Sequence, residues 1–64
     1  MKVFIEKNNV THNIIFSGTG KDLCRMLDIN IETIIIVRNG YIVTEDYMLD
    51  DNDEVELLSV VSGG

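Results

Sequence analysis

The segment that most constrains this chain is Thr33-Ile34-Ile35-Ile36-Val37-Arg38-Asn39-Gly40-Tyr41-Ile42-Val43. It opens with a run of β-branched residues. Such side chains lose rotamer freedom in a helix and pack well on a pleated surface, so the run favours extended backbone. Asn39-Gly40 then suits a two-residue type I′ turn, in which both central positions need positive φ. The chain is therefore expected to double back, with Tyr41-Ile42-Val43 as a short return strand. An isolated hairpin is marginal in water, so other segments must pair with it and cover it.

Residues 2–6 alternate, with Val3 and Ile5 on one side and Lys2, Phe4 and Glu6 on the other, which predicts a half-buried strand. Lys7-Asn8-Asn9 reads as a polar turn, and residues 12–16 as the second strand of a hairpin. Thr19 is placed to N-cap a helix over residues 20–28, with Asp22 near its positive end and Leu23, Met26 and Leu27 sharing one face. Residues 44–49 read as a connection in which Tyr47 or Leu49 plugs the edge of the core. Residues 50–53 form an acidic turn and residues 54–61 the last strand, with Val55 and Leu57 on one side and Glu56, Leu58 and Val60 on the other. The expected order is β-β-α-β-β-β, an α+β chain with one helix on a mixed sheet. This is the β-grasp architecture, which ubiquitin shares.

A helix this short covers one face only. If Val3, Ile5, Ile34, Ile36, Val55 and Leu57 face it, then Phe4, Ile35, Val37, Leu58 and Val60 lie on the open face, and an apolar patch there suggests partner docking. A one-residue slip in a strand would exchange the two lists.

Sixty-four residues make one domain, read as residues 1–61 with a flexible C-terminal tail over residues 62–64. The net charge of −6 supplies no basic stripe for direct nucleic-acid binding; it suits solubility or docking on a basic partner. No apolar run is long enough for a signal peptide or a membrane span, and one cysteine excludes an internal disulfide. The chain reads as a cytoplasmic monomer without membrane attachment.

Motifs for chemistry within the body of the chain fail on inspection. Gly18-Thr19-Gly20-Lys21 has Ile15 where a phosphate loop needs glycine and Asp22 where it needs Ser or Thr. The acidic run 50–54 lacks the glycine and distal glutamate of a calcium loop. His12, the one histidine, has no acid or nucleophile placed beside it by any motif. Cys24, at the edge of the helix's apolar face, reads as a partly buried structural thiol, with a redox or sulfur-relay role as the alternative. No metal ligand set is expected.

The remaining candidate is the end of the chain, Val60-Val61-Ser62-Gly63-Gly64. Two glycines can enter a channel that any Cβ would block. Residues 60–64, fully extended, reach about 17 Å. The terminal carboxylate is ionised near neutral pH and is a poor electrophile until another protein activates it.

Asp53-Glu54-Val55-Glu56-Leu57-Leu58-Ser59-Val60-Val61 followed by Ser62-Gly63-Gly64 resembles the ThiS/MoaD family of ubiquitin-like sulfur carriers. The Val37-Arg38-Asn39-Gly40-Tyr41-Ile42-Val43 hairpin with its acidic sequel is similar to ThiS and to the small archaeal modifiers. Asp51-Asn52-Asp53 stands where the family often has Asp-Gly-Asp, and the chain is shorter than most MoaD proteins. The resemblance implies a non-catalytic carrier that binds no cofactor itself. A ThiF/MoeB-type enzyme, using ATP and magnesium, would adenylate the Gly64 carboxylate. A cysteine desulfurase or other persulfide would then supply sulfur, making a thiocarboxylate. An acceptor synthase would take that sulfur: a thiazole synthase for thiamin, a tRNA thiolase, or the enzyme of molybdopterin synthesis. Gly63 and Ser62 would give the tail access to those sites. Two alternatives stay open: a modifier joined to lysines through Gly64, and a non-covalent β-grasp interaction module.

Overall fold

The computed structural model describes residues 1–60. Strand β1 (Lys2–Ile5) runs into a 3₁₀ turn at Glu6–Asn8, which Asn9 closes in the left-handed region (φ 53°) while its N–H donates to Glu6 O. The chain returns as β2 (Val10–Asn13), antiparallel to β1. The expected second strand over residues 12–16 is therefore corrected to an earlier start, because the tight turn brings Val10 opposite Ile5. Residues past Ile14 are drawn away instead: the Phe16 N–H donates to Asp51 Oδ1 at 2.8 Å.

A two-residue strand β3 (Gly18–Thr19) follows, then helix α1 (Gly20–Met26). Thr19 is its N-cap, accepting from the Asp22 N–H at 3.1 Å, so a backbone donor that lacks a partner within the helix is satisfied as expected. The helix ends earlier than residue 28 because Asp28 turns left-handed (φ 58°). The Asp28 N–H then donates to Arg25 O and the Ile29 N–H to Cys24 O (2.8 Å), the paired bonds of a Schellman cap.

A second 3₁₀ turn (Ile31–Thr33) leads to β4 (Ile34–Arg38) and β5 (Tyr41–Val43). Asn39 (φ 48°) and Gly40 (φ 87°) join them with the expected pair of positive angles. Strand β6 (Met48–Leu49) pairs with β3, and β7 (Glu54–Ser59) is the last element among the described residues. The main sheet has the order β2-β1-β7-β4-β5, with β7 parallel to β1 and antiparallel to β4. This is the α+β, β-grasp architecture expected, supplemented by the small β3–β6 sheet.

The core lies between the sheet and α1. Val3, Ile5, Ile36, Val55 and Leu57 meet Leu23 and Cys24 of the helix, and Leu49 closes the edge at 2% exposure. Of the two candidate plugs, Leu49 is the one used. Tyr47 remains outside with the Arg38 guanidinium 5.2 Å from its ring centre. Met26, expected on the inward face of the helix, is about half exposed; Cys24 takes that place at 1% exposure. Burying each of Leu23, Leu49 and Leu57 contributes on the order of 1.5–3 kcal/mol. Among the described residues no helix is long and apolar enough to cross a membrane.

Candidate functional site

The acidic turn before β7 shows how that strand is held at its start. Asp53, 6% exposed, accepts from Arg38 Nε (2.8 Å), Asn39 Nδ2 (3.1 Å) and the Asp50 N–H (2.8 Å). The Arg38 hydrogen bond, followed by that from Asp50, holds its carboxyl below the ordinary value. Asn39 does more than form a turn, because its Oδ1 accepts from the Glu54 N–H at 2.9 Å. Asp51 is also held low, first by the Phe16 N–H and then by the Met1 ammonium 3.0 Å away. Three of the four acidic side chains around this turn thus point at donors within the chain, Asp50 accepting from the Asn52 N–H.

The other end of β7 is held differently on its two sides. Strand β1 stops at Ile5, so the backbone acceptors that would flank Ser59 on that side are missing. The Glu6 carboxylate takes their place, with its Oε1 accepting from the Ser59 N–H at 2.9 Å. On the β4 side the Val60 N–H donates to Thr33 O at 3.0 Å. Thr33 is itself positioned by Asn30, whose carbonyl accepts from the Thr33 hydroxyl (2.7 Å) and whose Oδ1 accepts from the Glu32 N–H (3.0 Å). Ser59 and Val60 are thereby held from both neighbouring elements. Glu6, Asn30 and Thr33 carry no local sequence signal for this role; only the parallel pairing of β1 with β7 brings Glu6 to Ser59.

The expected site residues Ser62, Gly63 and Gly64, and the boundary between residues 61 and 62, lie outside the described residues. Four of the five expected docking residues lie in the paired strands, and Val60 lies just past β7. Register places Phe4 and Val37 on either side of Glu56, and Ile35 beside Leu58, all on the sheet face opposite the core. Ile35 and Val60 are exposed (37% and 48%), and Phe4 and Leu58 are half-buried. Val37 departs from the expectation of an open-face contact. It is 9% exposed, hemmed between its cross-strand neighbours Glu56 and Ile42. Ile42, which the sequence reading left out of this face, is 74% exposed beside it. Its signal was the alternation from Tyr41 to Val43, too short to orient without the Val37 pairing.

Cys24 sits within the core and not at its edge. Burial, with a further contribution from the Glu45 carboxylate, pushes its thiol up to about 11, so it is protonated near neutral pH. That state disfavours the relay role, which needs a thiolate. His12 is exposed on β2 and has no hydrogen-bonded acid or nucleophile among the described residues. No group of three or more potential metal ligands is arranged to hold an ion among those residues.

The last described residue, Val60, follows the central strand of the sheet beside a partly apolar face. Compared with known families, the chain matches the ThiS family over residues 5–64.

Proposed function

The chain belongs to the ThiS family of small ubiquitin-like sulfur carriers, and on that premise we propose that Gly64 is its reactive residue. The observation that carries this reading is the extent of the family match, which runs through the Gly63-Gly64 pair to residue 64. A ThiF/MoeB-type enzyme transfers AMP from magnesium-bound ATP to the Gly64 carboxylate, releasing pyrophosphate. Persulfide sulfur attacks the acyl carbon and AMP leaves. Cleavage of the remaining S–S bond by a thiol leaves the thiocarboxylate. The sulfur then passes to an acceptor synthase of thiazole formation, tRNA thiolation or molybdopterin synthesis.

The chain's own residues contribute presentation. Glu6 and Thr33 hold Ser59 and Val60, the residues just before the tail. Ser62 and Gly63 give access to an enzyme channel. Ile35, Leu58 and Val60, with Phe4 beside them, dock the activating enzyme at that end of β7; Val37 flanks them on the same face.

Intact-mass measurement after incubation with an activating enzyme, ATP, magnesium and a persulfide donor tests this. A gain equal to sulfur replacing oxygen is expected, and it should vanish when Gly63 and Gly64 are deleted while the melting temperature stays unchanged. No gain, with enzymes that load another carrier of the family, would refute the proposal. Gly-Gly remnants on lysines of other proteins, without a thiocarboxylate, would instead identify the lysine-modifier alternative.

A further inference from the structure

The main sheet has two outer strands, β5 and β2, and they differ in what they offer. In β5 the two-residue turn makes Arg38 and Tyr41 the hydrogen-bonded pair that closes the hairpin. Alternation then turns only Ile42 of the three residues outward, and Glu45 and Asp46 follow at once.

Strand β2 is better suited to pairing. The Ile14 N–H donates to Met1 O at 2.9 Å and the Met1 ammonium donates back to Ile14 O, while the Lys2 N–H turns the other way, to Asp53 O. Alternation from that point turns the backbone of His12 and Val10 toward β1, leaving the N–H and C=O of Thr11 and Asn13 facing outward. All four residues of β2 are exposed. Soluble proteins usually blunt such an edge with charge, proline or a bulge. This strand has an unbroken register and no proline, and residues 8–20 contain no Asp, Glu, Lys or Arg, in a chain of net charge −6.

We infer that β2 is a self-association edge, at which two copies pair antiparallel about a two-fold axis through His12. The outward groups set the register. Thr11 of each copy lies opposite Asn13 of the other, giving about four backbone hydrogen bonds. His12 then faces His12 of the second copy, and Val10 faces Ile14. Centring the axis on Thr11 instead would set Val10 against His12, so the apolar pattern selects the first register. A second copy fits better than an acidic partner segment for the same physical reason that makes the edge unusual. Two chains of charge −6 repel, and they approach at least cost along the stretch without charge.

Two four-residue strands cover less than the roughly 1,000 Å² of a stable interface, so association is weak and concentration-dependent. Strand β1 separates β2 from β7, so the pairing does not use the strand that ends beside Val60. The inference therefore stands or falls independently of the sulfur-carrier reading.

Sedimentation equilibrium of the full chain from micromolar to millimolar concentration should show mass rising from monomer toward dimer. Thr11→Pro removes an outward N–H that the domain does not use, and His12→Glu opposes two like charges at the axis. Each should weaken dimerisation at least about tenfold with an unchanged circular-dichroism spectrum. Amide exchange at Thr11 and Asn13 should slow with concentration while that at Ile42 does not. A monomer throughout the range, a dimer indifferent to His12→Glu, or protection at Ile42 would overturn the inference. Should Thr11→Pro fail to fold, His12→Glu and the exchange pattern decide.

Discussion

Gly20→Ala probes how closely α1 is seated on the sheet. Gly20 begins the helix with its N–H donating to Tyr47 O (3.3 Å), while the next N–H, from Lys21, donates to Glu45 O (2.9 Å). A Cβ at position 20 would fall 2.4 Å from Ile36 Cδ1 and 3.5 Å from Glu45 O. Carbon atoms at rest stand about 3.5–4.0 Å apart, so the first of these contacts cannot persist. Ile36 is 3% exposed, so relieving the contact requires its terminal methyl to rotate among packed neighbours or α1 to lift from the sheet. Overpacking of this kind costs about 1–3 kcal/mol. The better helix propensity of alanine returns up to about 1 kcal/mol in a helix interior and less at the first position. A net loss of about 1–2 kcal/mol is expected, a large share of the roughly 3–10 kcal/mol available to a domain this size.

Ile36→Val removes the clashing atom itself, at a cost of about 0.5–1.5 kcal/mol alone. In that background Gly20→Ala should cost close to nothing, so the double-mutant cycle should give a coupling of about 1–2 kcal/mol. Urea unfolding followed by circular dichroism reads it directly. With a slope near 1 kcal/mol/M, the midpoint of Gly20→Ala should fall by about 1–2 M and recover in the double variant relative to Ile36→Val. Additive losses would refute the argument that the glycine serves the approach of helix to strand.

Acid sensitivity follows from the turn at residues 50–53. Asp51 and Asp53 are held below their ordinary 3.8 when folded, so they stabilise the fold above that value and lose the contribution as pH falls through their lower folded values. The melting temperature should fall steeply below about pH 4, and Asp53→Asn should flatten that limb; an unchanged limb would refute the assignment. Asp28→Gly relieves a left-handed residue at the helix C-terminus and should stabilise by about 0.5–1 kcal/mol, whereas a lowered melting temperature would count against the cap. Cys24 should react with a thiol reagent near neutral pH only as fast as the protein opens, since its thiol is buried and protonated. Rapid labelling of the native protein would contradict this.

Features set by a few adjacent residues were legible in the sequence. Asn39-Gly40 forms its turn because the required angles belong to those two residues, and Thr19 caps α1 because its hydroxyl needs only a donor three residues away. Alternation placed Val3, Ile5, Val55 and Leu57 in the core for the same local reason: successive side chains of a strand point to opposite faces. The glycine pair of the candidate site is likewise a property of sequence, and the family match includes it.

Tertiary structure decided what depends on partners distant along the chain. The start of β2 at Val10, the choice of Leu49 over Tyr47, the burial of Val37 and the central place of Cys24 all follow from which strand lies beside which. Glu6 and Ser59 are 53 positions apart, and no sequence window joins them. They meet because β1 and β7 run parallel and β1 ends first, which leaves one backbone N–H in need of an acceptor and one carboxylate within reach of it.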